Sequence, residues 1–258
     1  MSEQVSLTSM MGMVFTLAVV FILPIAACIV VKVKCKAKIS SMIVGAGTFI
    51  LAAMVLEQIL HTVVLGLAGE ALTKNILLYA IYGGLAAGIF EETGRYLAMK
   101  FCMKGTLDKE NALMYGVGHG GMEAILLIGP TYISNLMMSY MINQGTINGV
   151  LSQMDTATKE AMLQGLSQLW ELPSNTFYLA GVERLCAFVF QIALSYLVYL
   201  SVKEGKKGNF LLAIGLHMAV DTGTVLLAAV LPVVAVEVIL IVVVAIITLF
   251  TYKKYRRE

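Results

Sequence analysis

Seven long apolar runs, at residues 8–31, 40–68, 76–100, 111–141, 178–202, 209–230 and 232–252, alternate with short polar segments along the chain. A helix crossing a hydrocarbon core of ~30 Å needs about 20 residues, so the pattern predicts seven membrane-spanning helices. The weakest boundary is Leu231-Pro232, because a proline can also kink one continuous helix.

Charge placement favours a turn there. Of the 18 Lys and Arg residues, 14 fall in KVKCKAK (32–38), KFCMKGTLDKEN (100–111), KEGKKGN (203–209) and KKYRRE (253–258). Lys74 and Lys159 lie in the alternate segments, while Arg95 and Arg184 lie within runs. With seven helices the four basic segments share one side, which the positive-inside rule assigns to the cytoplasm. The N-terminus is then outside and the C-terminus inside, and an even number of helices would break this agreement.

Composition points the same way. Of the 258 residues, 59% are hydrophobic and 13% charged, and the mean hydropathy is +0.86. These values exclude an ordinary soluble domain. The expectation is an all-α, polytopic bundle in one integral membrane domain, 1–258, with no nucleic-acid partner. The first run follows MSEQVSL, which lacks the basic region of a cleaved signal, so it reads as a retained span. Cys28, Cys35, Cys102 and Cys186 are scattered without a paired spacing, which argues for structural thiols.

The polar stretch 143–177 reads as an outer loop. Within it, Met162, Leu163, Leu166, Leu169 and Trp170 recur at helical spacing after Asp155, a residue suited to an N-cap. An interfacial helix is expected there.

Ionisable groups inside a bilayer cost about 2.5–3.5 kcal/mol each on insertion scales, so their positions carry information. The third run holds FEETGRY, with Glu91, Glu92 and Arg95; the fourth holds GHGGMEA, with His119 and Glu123; the sixth holds GLHMAVD, with His217 and Asp221. Counting ~1.5 Å of rise per residue from each cytoplasmic boundary, Glu91, His119 and His217 all lie at about 12–14 Å. Glu123 and Asp221 lie one turn deeper. Two helices therefore present the same histidine–acid ladder at one depth, and residues four apart share a helix face.

Imidazole and carboxylate together suit zinc with a position left for water. His119, Glu123, His217 and Asp221 are the candidate ligands. Glu91 and Glu92 are candidates for a further ligand or the general base, with Arg95, four residues beyond Glu91, to orient the carboxylate. Gly116, Gly118, Gly120 and Gly121 would admit close helix neighbours. Taken singly, each pair is also explained by a structural hydrogen bond or ion pair; their shared depth is what favours a site. Glu57 with His61, and Glu183 with Arg184, count to about 27–33 Å from the cytoplasmic boundary and read as interhelical pairs or an outer vestibule. Glu237 is expected at the outer interface, and the 16 methionines as adaptable packing.

On GIFEETGRY, GHGGMEA and GLHMAVD, the chain resembles the YhfC-type intramembrane metalloproteases, which look related to PrsW proteases and to the CAAX prenyl-protease and bacteriocin-processing superfamily. EETGR departs from the EExxxR spacing of the CAAX group by one residue, and its histidine opens the middle motif where theirs closes it. The resemblance implies a glutamate-dependent zinc peptidase in the cell membrane of a bacterium, acting on a membrane-associated peptide or protein. Carried over by motif, it places the acidic pair at Glu91 and Glu92, the middle motif at His119 and Glu123, and the last at His217 and Asp221. Rival readings are a proton- or cation-coupled transporter, which would show inverted repeats, and a non-catalytic protein that binds peptides or lipids in the same cavity.

Overall fold

A computed structural model describes residues 4–258, and every regular element among them is helical. In chain order these are α1 (Leu7–Cys35), α2 (Ile39–Phe49), a π-helical segment (Ile50–Glu57), α3 (Gln58–Thr73), α4 (Ile76–Phe101), α5 (Lys109–Leu127), α6 (Gly129–Asn143), α7 (Ile147–Leu151), α8 (Thr156–Glu171), α9 (Ser174–Glu204), α10 (Gly208–Ala228) and α11 (Val233–Arg257). Seven of the resulting helical stretches are long and apolar enough to cross a membrane: Leu7–Cys35, Ile39–Thr73, Ile76–Phe101, Lys109–Asn143, Ser174–Glu204, Gly208–Ala228 and Val233–Arg257. They match the seven runs read from the sequence.

The boundaries have local causes. Asn75 caps α4 by accepting from the amides of Leu77 and Leu78. Asp108 accepts from the amide and side chain of Asn111 at the start of α5, and the other end of that side chain accepts from Lys38 N and Ser41 Oγ, fastening the start of α2 to the start of α5. Gly205, with φ +70°, ends α9 in the left-handed region that favours glycine. Pro232 stands at the N-cap of α11, so the doubtful boundary is a turn between two helices. The fourth run, read as continuous, breaks at Ile128, where Pro130 in the first turn of α6 removes a backbone donor.

Asp155 caps α8 as expected, accepting from Thr158 N. Bonds from the Thr158 hydroxyl and amide hold its carboxyl below the ordinary Asp value. Leu166 and Leu169 are the buried residues of this helix.

The chain packs as two compact units, one of residues up to Ile22 with Ala124–Leu185, the other of Leu23–Glu123 with Cys186–Glu258. In the first, Met13, Ile142, Ile147, Leu151, Leu166, Leu169 and Phe177 share a core, and Glu183 pairs with its neighbour Arg184. The second unit contains every residue of the ladder. Its core gathers Met99, Met103, Tyr115, Leu194, Leu197 and Val244 around α9.

Small residues set the helix separations there. A side chain at Gly84 would meet Met218 O at 2.8 Å, and one at Gly88 would meet Ile214 O at 3.0 Å, so this GxxxG pair lets α10 lie directly on α4. The four α5 glycines do what their spacing suggested: Gly116 and Gly120 face α9 at Ile192 Cα and Gln191, Gly118 faces the Met42 carbonyl and Gly121 faces Pro24.

Candidate metal centre

The ladder residues sort into two adjoining groups. In the first, Glu91 from α4 and His119 and Glu123 from α5 each offer a ligand atom, all within 4.8 Å of one another. His119 Nε2 lies 2.9 Å from Glu91 Oε2. The i and i+4 spacing puts His119 and Glu123 on one face of α5, and Gly116 and Gly120 beside them let α9 approach closely.

In the second group, Glu92 Oε1 accepts from His217 Nδ1 at 2.8 Å. An ionised carboxylate can only accept, so with Glu92 in that form the bond carries its proton on His217 Nδ1. The other nitrogen, Nε2, lies 3.5 Å from Asp221 Oδ2. Arg95 lies 3.4 Å from the same Glu92 oxygen. Its partner is thus Glu92, three residues away, and not Glu91, the neighbour expected from the sequence. The guanidinium turns this way because α9 offers it three acceptors: Gln191 O at 2.8 Å, Ser195 Oγ at 3.0 Å and Gln191 Oε1.

The site is mostly buried, with Glu123 half-buried. Glu92, Arg95 and His119 have no exposure, and Glu91 and His217 have 6% and 3%. Phe49 stands edge-on to His119 and Phe190 edge-on to His217, so both imidazoles are packed as well as bonded.

Gln191 was not among the residues singled out from the sequence. Its Nε2 donates to Glu123 Oε2 at 2.7 Å and to Glu91 Oε2 at 3.2 Å, while its Oε1 takes the Arg95 bond. A signal was present: Gln191 is the polar interruption in FVFQIALSY, twelve residues before Lys203, about 18 Å by helical rise and level with Glu123 and Asp221.

Glu57 corrects the depth estimate. Counted to the outer face, it lies instead within electrostatic reach of Glu91, His217 and Asp221. Depth counting assumed that the basic segments end the helices in one plane. The helices are offset: a side chain at Gly94 would touch Ala52 Cβ at 2.9 Å and Thr48 at 3.2 Å, so the π-helical segment runs beside the Glu91 turn. A wider π turn commonly marks a functional position, and this one ends at buried Glu57. Glu57 bonds to His61 Nε2 at 3.1 Å, and His61 Nδ1 lies 2.8 Å from the Tyr82 hydroxyl on α4. Glu237, expected at the interface, is buried at 7% exposure.

The donors suit a metal. Carboxylate and imidazole oxygen and nitrogen are zinc ligands, and among the described residues His119 Nδ1 and Glu92 Oε2 are buried with no hydrogen-bond partner. A buried polar atom left so costs about 1–3 kcal/mol, which a ligand or reacting group bound in the site would offset.

A family model, described as YhfC intramembrane metalloprotease, matches residues 19–248, nearly the whole chain and all of the polar residues above. The chain belongs to this family. Among its relatives is a protein of Bacillus subtilis (strain 168) described as uncharacterized membrane protein YhfC, 40% identical over 212 residues that cover 81% of each chain. No solved structure matches. Membership of the YhfC family, with seven apolar helices, makes this an integral membrane protein. The family description implies a metal, and the Glu91, His119 and Glu123 group is where this chain could hold one.

Proposed function

We propose that the protein is an intramembrane zinc endopeptidase in which His119, Glu123 and Glu91 hold the metal and Glu92 is the general base. The observation that carries this reading is the convergence within 4.8 Å of three ligand atoms, from buried Glu91 and His119 and half-buried Glu123. When bound, zinc supplies the Lewis acidity that lowers the pKa of water and polarises the scissile carbonyl.

Glu92 is suited to the proton work because its two oxygens differ. Oε1 is held by His217 and Arg95, while buried Oε2 has no partner among the described residues and can accept a proton from the attacking water. The same carboxyl then returns the proton to the leaving amine. His217, oriented through Nδ1 by Glu92, presents Nε2 beside Asp221, and together they line the α10 side of the site.

The substrate is a peptide bond in a membrane-anchored segment. Between the spans the longest described element is α8, of 16 residues, so recognition falls to the helices, and entry is lateral from the bilayer.

The test pairs metal content with cleavage. Purified wild-type protein is expected to carry one zinc per chain, His119→Ala/Glu123→Ala to lose it, and Glu92→Gln to keep it. In proteoliposomes with a library of membrane-anchored peptides, mass spectrometry is expected to find cleavage products with the wild type only. Zinc retained in the double variant would overturn the ligand assignment, and products formed by Glu92→Gln would overturn the base.

A further inference from the structure

We infer that Gln191 is a positioning residue for the metal ligands: one amide that holds the carboxylates of Glu91 and Glu123 together and ties both to the Arg95 and Glu92 pair. This rests on the metal-site reading above and assigns the residue that pre-organises it.

The chemistry leaves the amide one satisfactory orientation. Two carboxylates lie on one side, at 2.7 Å and 3.2 Å from Nε2, and a guanidinium lies on the other against Oε1. Carboxylates accept and a guanidinium only donates, so NH2 must face the acids and C=O must face Arg95; reversing it would set oxygen against oxygen and donor against donor. Each end of the amide is therefore a directional bond with a defined partner.

Two like charges brought within one ligand group repel each other, and a shared donor between them offsets that repulsion before any cation arrives. Glu91 also meets α5 through His119, but Gln191 is the group whose one amide bonds both carboxylates directly. Gln191 is itself fixed: it is 3% exposed, and a side chain at Gly120 would meet its Cβ at 3.0 Å. Its backbone carbonyl also accepts from Arg95 Nη1 and from Ser195 Oγ. The tether thus spans α4, α5 and α9 at the level of the ligands, and its donors bond to the ligand carboxylates, so it acts through them and not on the substrate.

The test uses Co2+ as a spectroscopic stand-in for zinc in the full-length protein in detergent. Gln191→Met removes the amide with little change in volume, and metal ligands that lose such outer support typically bind about 10–100-fold more weakly. The expected result is a Co2+ dissociation constant raised by about that factor and altered visible d–d bands, with the helical circular dichroism unchanged. Gln191→Glu covers the case in which the Met variant does not fold: it keeps an acceptor for Arg95 and loses the donors. Its d–d bands are expected to change as well, because Glu91 and Glu123 no longer share a donor. Wild-type binding and spectra preserved in a folded variant would overturn the inference and leave the metal site standing. Failure of the wild type to bind Co2+ or Zn2+ would overturn the metal site itself, and the inference with it.

Discussion

At the scale of single residues, the arrangement around Arg95 explains why charged groups persist in an apolar bundle. Its guanidinium has no exposure and faces Glu92, Ser195 and both oxygens of Gln191. Removing one partner of a buried ion pair is expensive because the other charge stays behind, about 3–5 kcal/mol. Arg95→Met is therefore expected to destabilise the protein by about that amount in denaturant titrations from mixed micelles. Arg95→Lys keeps the charge and loses the planar fork that reaches several acceptors at once, so it should fall between, at about 1–3 kcal/mol. Equal stability of the Lys variant and the wild type would show that charge alone matters here. The residue identities were legible in the sequence; the partner of Arg95 was not, because Glu91 and Glu92 are both within one turn of it and only the acceptors on α9 choose between them.

At the scale of elements, glycine positions control how closely helices approach the Glu91, His119 and Glu123 group. In α2, a side chain at Gly45 would run into the Tyr115 carbonyl and lie 3.0 Å from His119 N, whereas at Gly47 there is nothing within 4 Å. Gly45→Ala is expected to push α2 from the α5 turn that bears His119, lowering both thermal stability and zinc occupancy. Gly47→Ala should raise stability by about 0.5–1 kcal/mol through helix propensity alone, with zinc occupancy unchanged. Thermal unfolding and metal analysis of the two variants side by side distinguish packing from propensity; equal loss of zinc in both would refute the distinction. The spans themselves were readable from apolar length, and the role of the α5 glycines from their spacing. The π-helical segment was not, since an apolar run such as ILAAMVLE is compatible with either winding.

At the scale of the whole molecule, the basic segments predict an outside N-terminus and an inside C-terminus. Cys102, exposed beyond the end of α4, should react with a membrane-impermeant maleimide only after cells are permeabilised. A cysteine introduced as Ser152→Cys, at the exposed end of α7, should react in intact cells. The reverse pattern would invert the orientation. Number of spans, helical class and the ionisable residues carried within the spans follow from the sequence by itself, because transfer into a bilayer depends on the composition of each segment and little else. The division into Glu91 with His119 and Glu123, and Glu92 with His217 and Arg95, was decided by tertiary structure. So were the Gln191 tether and the nearness of Glu57. Depth along a helix can be counted from its ends, but axial offset between helices and rotation about each axis depend on the packing of glycines and side chains from other spans, and those two quantities select which polar atoms meet.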